Sequence, residues 1–229
     1  SQISVALSNA SFDRSQAEDR MHLILQELVH RTKNILTLVQ AMMRQLARQS
    51  KDMDEFQKAI SDRIQGLGKS IEALAIEQWT GVPLRRLVTV QLDTFANVAD
   101  RVELQGDDFL LRAEAVQNLG LVLHELATNS IKYGALSVPD GRVRMSWRQE
   151  DPSDPKSLLH MSWEEIGGPP AVEPQTTGFG TTIIRRHAAA AFGGQVEISY
   201  LATGLVWTLV APRDAFERGP GEAAQEFLL

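Results

Sequence analysis

Ala115-Val116-Gln117-Asn118-Leu119-Gly120-Leu121-Val122-Leu123-His124-Glu125-Leu126-Ala127-Thr128-Asn129-Ser130-Ile131-Lys132-Tyr133-Gly134 is the stretch on which the reading of the whole chain turns. Val116, Leu119, Leu123, Leu126 and Ala127 recur at helical spacing, and Gly134 is a natural stop, so the pattern predicts a helix here. Glu125, Asn129 and Lys132 fall on its other side. At about 100° per residue these three lie within about 60° of one another and project as one polar ridge. A carboxylate, an amide and an ammonium on one ridge can hold a metal ion through oxygen and meet the phosphates it carries. The same trio also suits a solvated helix face with i,i+4 pairing. Spacing alone leaves both readings open.

Upstream, Leu25, Leu28, Ile35, Val39, Met42 and Leu46 form one apolar stripe, and Phe56, Ile60, Ile64, Leu67, Ile71 and Leu74 form a second. The polar stretch between them offers Ser50 or Asp52 as a cap for the second helix. Two long amphipathic helices with a short connection predict an antiparallel hairpin over residues 15–80. One partner helix covers neither stripe fully, so pairing with a second hairpin into a four-helix bundle, and hence a homodimer, is expected. His30 points roughly 160–200° from the centre of the first stripe, into water. It reads either as a plain surface histidine or as an exposed imidazole free to react. Residues 1–14 are polar and small and read as a linker. Gly81 and Pro83 break helical continuation, which puts a domain boundary near residue 81.

Downstream the pattern changes. A helix is predicted from Leu84 to about Asn97, then strands at 101–105 and 109–112 on either side of a short turn. After the organising helix, Val143, Met145 and Trp147 alternate with polar residues, and Leu159, Met161 and Trp163 do the same. A helix over 180–192 is halted by Gly193-Gly194, and strands follow at 195–201 and 205–211. A largely antiparallel sheet with helices on one face makes an α+β two-layer sandwich over 81–213. Residues 214–229 are expected to be a flexible tail.

Two glycine-rich segments stand out. Trp163-Glu164-Glu165-Ile166-Gly167-Gly168-Pro169-Pro170 leaves a strand and enters a loop whose glycines let backbone approach a ligand closely. Strand periodicity turns Trp163 inward, as a core residue or as a wall of a base pocket. Gly178-Phe179-Gly180-Thr181-Thr182 opens a helix, where free NH groups beside the positive end of the dipole suit a triphosphate. Such a Gly-x-Gly is equally at home in an ordinary tight turn.

The segment from His124 to Leu136 closely resembles the N box of the HWE group of bacterial histidine kinases, which carry a GHKL-type ATP-binding domain. The group is named for a His in this box and a Trp-x-Glu further on, here His124 and Trp163-Glu164-Glu165. Glu27-Leu28-Val29-His30-Arg31-Thr32-Lys33-Asn34 is similar to the phosphoacceptor box, Gly178 to Thr182 to the second glycine box, and Pro169 to Thr177 to a reduced ATP lid. The matching segments run from about His22 to Pro212.

This resemblance implies the core of a sensor histidine kinase that uses ATP and Mg²⁺. By it, His30 is the phosphoacceptor and Glu125 orients or activates in the metal shell. Asn129 and Glu125 are the metal ligands, and Lys132 meets phosphate. Glu165 takes the place usually held by Asp and accepts a hydrogen bond from the adenine amino group. Gly167, Gly178, Phe179, Gly180 and Thr181 complete the nucleotide site. His124 is either a ligand contact or a packing histidine behind the site. The implied partners are the receiver domain of a response regulator, a second copy of the chain, and an upstream sensor domain in the full-length protein. One departure concerns proton transfer: Arg31 follows the acceptor where many other histidine kinases have an acid, so the general base is unassigned, with Glu27 and Asn34 nearby.

Composition narrows the field. The chain of 229 residues fits one large domain or two modest ones, and its 43% hydrophobic share supports a real core. A net charge of −6 argues against general nucleic-acid affinity. With no cysteine, disulfides and thiolate metal sites are excluded. No apolar run approaches the roughly 20 residues needed to span a bilayer, and no signal peptide opens the chain. A cytoplasmic location is therefore expected. The alternative readings are a nucleotide-binding docking module without kinase turnover, and an ATP hydrolase acting as a clamp.

Overall fold

A computed structural model describes residues 29, 32–48, 50–77, 80–95, 97–151, 153–154, 156–175 and 178–217. His30, the expected linker over 1–14 and the last twelve residues of the expected tail (218–229) lie outside the described residues.

Helix α1 (residues 32–48) leads through a short connection into α2 (Met53–Ile76). Of the two predicted caps, Asp52 is the one used. Its Oδ1 accepts from Glu55 N at 2.8 Å, while Glu55 Oε2 accepts from Lys51 N at 2.8 Å, so two backbone donors at the helix entrance are satisfied. Met42 and Leu46 are buried, with Ile35, Leu38 and Val39 packed beside them, and the predicted stripe of α1 is its inward face. On α2 the buried face is turned from the predicted stripe, whose Ile64 is exposed. It holds Leu67 and Leu74 together with Gly66, Ser70 and Ala73, and it packs on α3 (Leu84–Leu92) and α4 (Ala113–Lys132). Elements on the two sides of residue 81 are thus in direct contact.

Helix α4 is the axis of the fold. It is buried on nearly every side from Ala115 to Ala127, because α2, α3 and the helical run after Gly178 all pack on it. It ends where the sequence places its stop: Tyr133 N donates to Asn129 O at 2.8 Å and Gly134 N to Ser130 O at 3.0 Å.

The main sheet has the order β2–β4–β5–β7–β6, formed by Val102–Gln105, Arg142–Gln149, Leu158–Ile166, Gly204–Pro212 and Gln195–Leu201. β2 runs parallel to β4, and the other three pairings are antiparallel. Met145, Trp163 and Trp207 stand opposite one another across three strands, and all three are buried. The architecture is the α+β arrangement of helices followed by a mixed sheet, with one continuous apolar core.

Three local predictions need adjustment. The strand expected at 109–112 is β3 (Leu110–Leu111), which leaves the main sheet and pairs with β1 (Val82–Pro83). The helix expected to reach Asn97 stops at Leu92, and Asn97 itself takes a positive φ of 60°, which ends helical geometry. The helix expected over 180–192 is α5 (Phe179–Thr182), a π turn (Ile183–His187) and α6 (Ala188–Phe192). Trp207 Nε1 donates to Ile184 O in that turn at 2.7 Å, giving the indole a partner inside the core.

Candidate functional site

The ridge on α4 is real, but α2 lies over part of it. Glu125 is almost fully buried, at 2% exposure. Its carboxylate faces Arg63 of α2: Arg63 Nη2 donates to Oε2 at 3.0 Å, and Nε lies 2.7 Å from Oε1. The guanidinium carbon also sits 4.4 Å from the centre of the Phe179 ring. Burial raises the Glu125 pKa, while the charges of Arg63 and Lys132 pull it back. Asn129, one turn on, is half-buried, and Lys132 is exposed.

The second glycine segment closes over the same spot. A β-carbon on Gly180 would stand 2.8 Å from Glu125 Oε2 and 3.5 Å from both polar atoms of the Asn129 amide. Only a residue without a side chain lets the backbone come this close. Phe179 is buried and Thr181 half-buried, while Gly178 caps α5 from an exposed position with open space around it. The structure therefore brings Glu125, Asn129, Phe179 and Gly180 together.

Glu165 and Gly167 assemble further along, past the end of α4. Glu165 is buried, and its Oε2 accepts from Ala135 N at 3.0 Å. Gly134 allows this approach, since any side chain there would collide with the carboxylate. Gly167 turns the chain with φ 73°, and Gly168 packs against the backbone of Ala135. From Glu125 to Lys132 the helix advances on the order of 10 Å, so the two clusters occupy successive stations along it. Trp163 is a core residue at 1% exposure, with its indole nitrogen buried. A shallow hollow of about 440 Å³ lined by Ser146, His160 and Thr208 lies across the sheet and contains none of these residues.

His124 sits behind the site. It is 3% exposed and its ring lies 5.5 Å from that of Phe95. A β-carbon on Gly66 would be 2.7 Å from His124 Cγ, so the ring fills the contact between α2 and α4. Burial, then the charge of Arg63, lowers its pKa to about 4, which keeps the imidazole neutral.

Arg63 is the residue that sequence reasoning missed. Its signal was the small-residue series Gly66, Ser70 and Ala73, which lies three, seven and ten positions after it on the same helical face. Small residues at such spacing mark a close helix–helix approach rather than a solvated face. Gln91 Nε2 confirms the approach by donating to Gly66 O at 3.0 Å and Ser70 Oγ at 2.8 Å.

The profile of the HWE histidine kinase family matches residues 27–108. Blue-light-activated histidine kinases of Brucella ovis and Brucella anthropi are each 30% identical to the chain, over 87% and 89% of it. The chain belongs to the HWE group of histidine kinases. It spans 41% of the length of these two relatives. Its fold is similar to that of the Erythrobacter litoralis EL346 blue-light activated histidine kinase, with a TM-score of 0.60 at 15% identity, covering 81% of this chain and 59% of that one. The histidine kinase domain of the same protein gives 0.53, also at 15% identity, over 78% of this chain and 96% of that domain. Among the described residues of this HWE chain, no helix is long and apolar enough to cross a membrane.

Proposed function

We propose that this chain is the catalytic core of an ATP-dependent protein histidine kinase in a two-component pathway. The observation that supports it most is the convergence of Glu125 and Asn129 with Gly180, a carboxylate and an amide held against glycine backbone that is distant in sequence. These are hard oxygen donors, and they fit a magnesium ion that takes its other ligands from phosphate and water. Bound there, Mg²⁺ would neutralise charge on the transferred phosphoryl group. Lys132, exposed at the last turn of α4, meets the phosphates. Glu165 accepts from the adenine amino group, with Gly167 shaping the loop beside it. Gly178 and Thr181 flank the phosphates.

In the reaction, a ring nitrogen of His30 attacks the γ-phosphorus in line. The N–P bond forms as the bond to the bridging oxygen breaks, ADP leaves with that electron pair, and the imidazole releases its proton. An aspartate of a response regulator then takes the phosphoryl group. Dimerisation through the hairpin belongs to the same reading. Leu36 and Met43 of α1 are 54% and 45% exposed, and Ile64 of α2 is 47% exposed, apolar surface that a second copy would cover.

Incubation with γ-labelled ATP tests the proposal. The expected product is label on the protein that is lost in acid and kept in alkali, absent from His30→Gln although that variant still binds nucleotide. Acid-labile label persisting in His30→Gln would remove the acceptor assignment. Nucleotide binding without any label would favour the docking module.

A further inference from the structure

Arg63 takes no part in the reaction proposed above, yet it holds that site's carboxylate. It comes from α2, in the hairpin that carries the acceptor-like box, and not from the ATP-binding layer. Its guanidinium is held on three sides: Nη1 donates to Ala59 O at 2.8 Å, Glu125 takes the opposite edge, and the Phe179 ring lies under its face. The helix beneath is fixed as well. Gly66 lies against the His124 ring, Gly120 against Ser70, and Gln91 ties Gly66 and Ser70 to α3. Helix packing therefore sets the position of Arg63.

A guanidinium and a divalent cation compete for the buried Glu125 carboxylate. The guanidinium already engages both oxygens within a pocket closed by Gly180 and Phe179, and a cation brought to the same carboxylate is repelled by its charge at that separation. We propose that Arg63 is a latch between hairpin and nucleotide site: it occupies Glu125 and covers Phe179 while α2 is docked, and a magnesium nucleotide takes the carboxylate only when Arg63 moves off. This rests on the nucleotide reading of the preceding subsection. The latch makes the hairpin and the nucleotide competitors for one carboxylate. A signal that shifts α2 would thereby control access to the metal position without touching the adenine end.

The test is the affinity of the whole chain for a fluorescent ATP analogue in Mg²⁺, with amide hydrogen exchange over residues 59–70 as a second readout. Arg63→Ala removes the latch. Arg63→Met removes the charge and keeps an apolar stem over Phe179. Both variants are expected to bind about tenfold tighter, since the wild-type site is competent only in its undocked fraction. Nucleotide should also speed exchange across the first half of that segment in the wild type. Equal or weaker binding by the folded variants overturns the latch, as does unchanged exchange in the nucleotide-bound wild type. The exchange result decides if neither variant folds. A wild type that binds no nucleotide at all removes the nucleotide reading, and the latch with it; binding by the wild type with unaltered variants removes the latch alone.

Discussion

Gly120→Ala should destabilise the protein, although at most helix positions the same change does the opposite. In an ordinary helix interior, alanine for glycine gains about 0.5–1 kcal/mol. At Gly120 the new methyl would overlap Ser70 Oγ and lie 3.1 Å from Gln91 Nε2 and 3.2 Å from Ser70 Cβ. Two kinds of relief are open. The Ser70 hydroxyl can turn away, which strands a buried Gln91 amide hydrogen whose present bond is 2.8 Å long and costs about 1–3 kcal/mol. Alternatively α2 can back off, which loosens the packing of Leu67, Ala73 and Leu74 at about 1–3 kcal/mol. Either exceeds the gain, leaving a net loss of about 1–2 kcal/mol. Urea unfolding followed by tryptophan fluorescence measures it. In a Ser70→Gly background the clash is gone, and Gly120→Ala should become neutral or stabilising. A Gly120→Ala protein more stable than its parent with Ser70 in place would show that α2 does not rest on α4 as described.

Three further outcomes are expected. Asn129→Ala should weaken Mg²⁺-dependent nucleotide binding at least about tenfold, as loss of one good metal ligand does; undiminished affinity in the fluorescent-analogue titration would refute its role. Glu165→Ala should lose discrimination of adenine from guanine nucleotides, and loss of its bond from Ala135 N should cost about 1 kcal/mol of stability in the same urea assay; retained discrimination would clear Glu165 of base recognition. His124 is neutral in the fold, with a pKa lowered from 6.5 to about 4 by burial and then by Arg63, so the unfolded chain takes up a proton first as pH falls. Stability should therefore drop from about pH 6.5 toward pH 4, by up to about 3 kcal/mol. Glu125, whose pKa is raised by burial, works in the other direction and offsets part of this loss. His124→Asn should flatten the decline over that window, and an unchanged slope in pH-dependent unfolding would place the effect elsewhere.

Much of the fold could be read from periodicity. The apolar steps of Val116, Leu119, Leu123 and Leu126 mark α4, and the alternation of Met145 with Trp147 and of Met161 with Trp163 marks the central strands. The ridge of Glu125 and Asn129 was legible too, because it depends only on helical spacing. Its surroundings were not. A charged residue such as Arg63 on a long amphipathic helix reads as solvated by itself, and only the small residues Gly66, Ser70 and Ala73 further along its face signal that a neighbouring element will cover it. The two-residue strands β1 and β3 are too short to show alternation, and each exists only through its partner. The π turn escapes for a related reason: one extra residue in a helical turn leaves the apolar pattern almost intact.

Leu67, Ala73 and Leu74 belong to the same apolar body as Leu119 and Leu123, and this bears on how the protein can be divided. A fragment begun at Gly81 would lack one wall of its own interior and present bare greasy surface to other molecules. Self-association of such a piece would then reflect the missing wall and not the behaviour of the intact chain. Preparations of the half that follows Gly81 should start before Met53, so that the helix shielding it travels along.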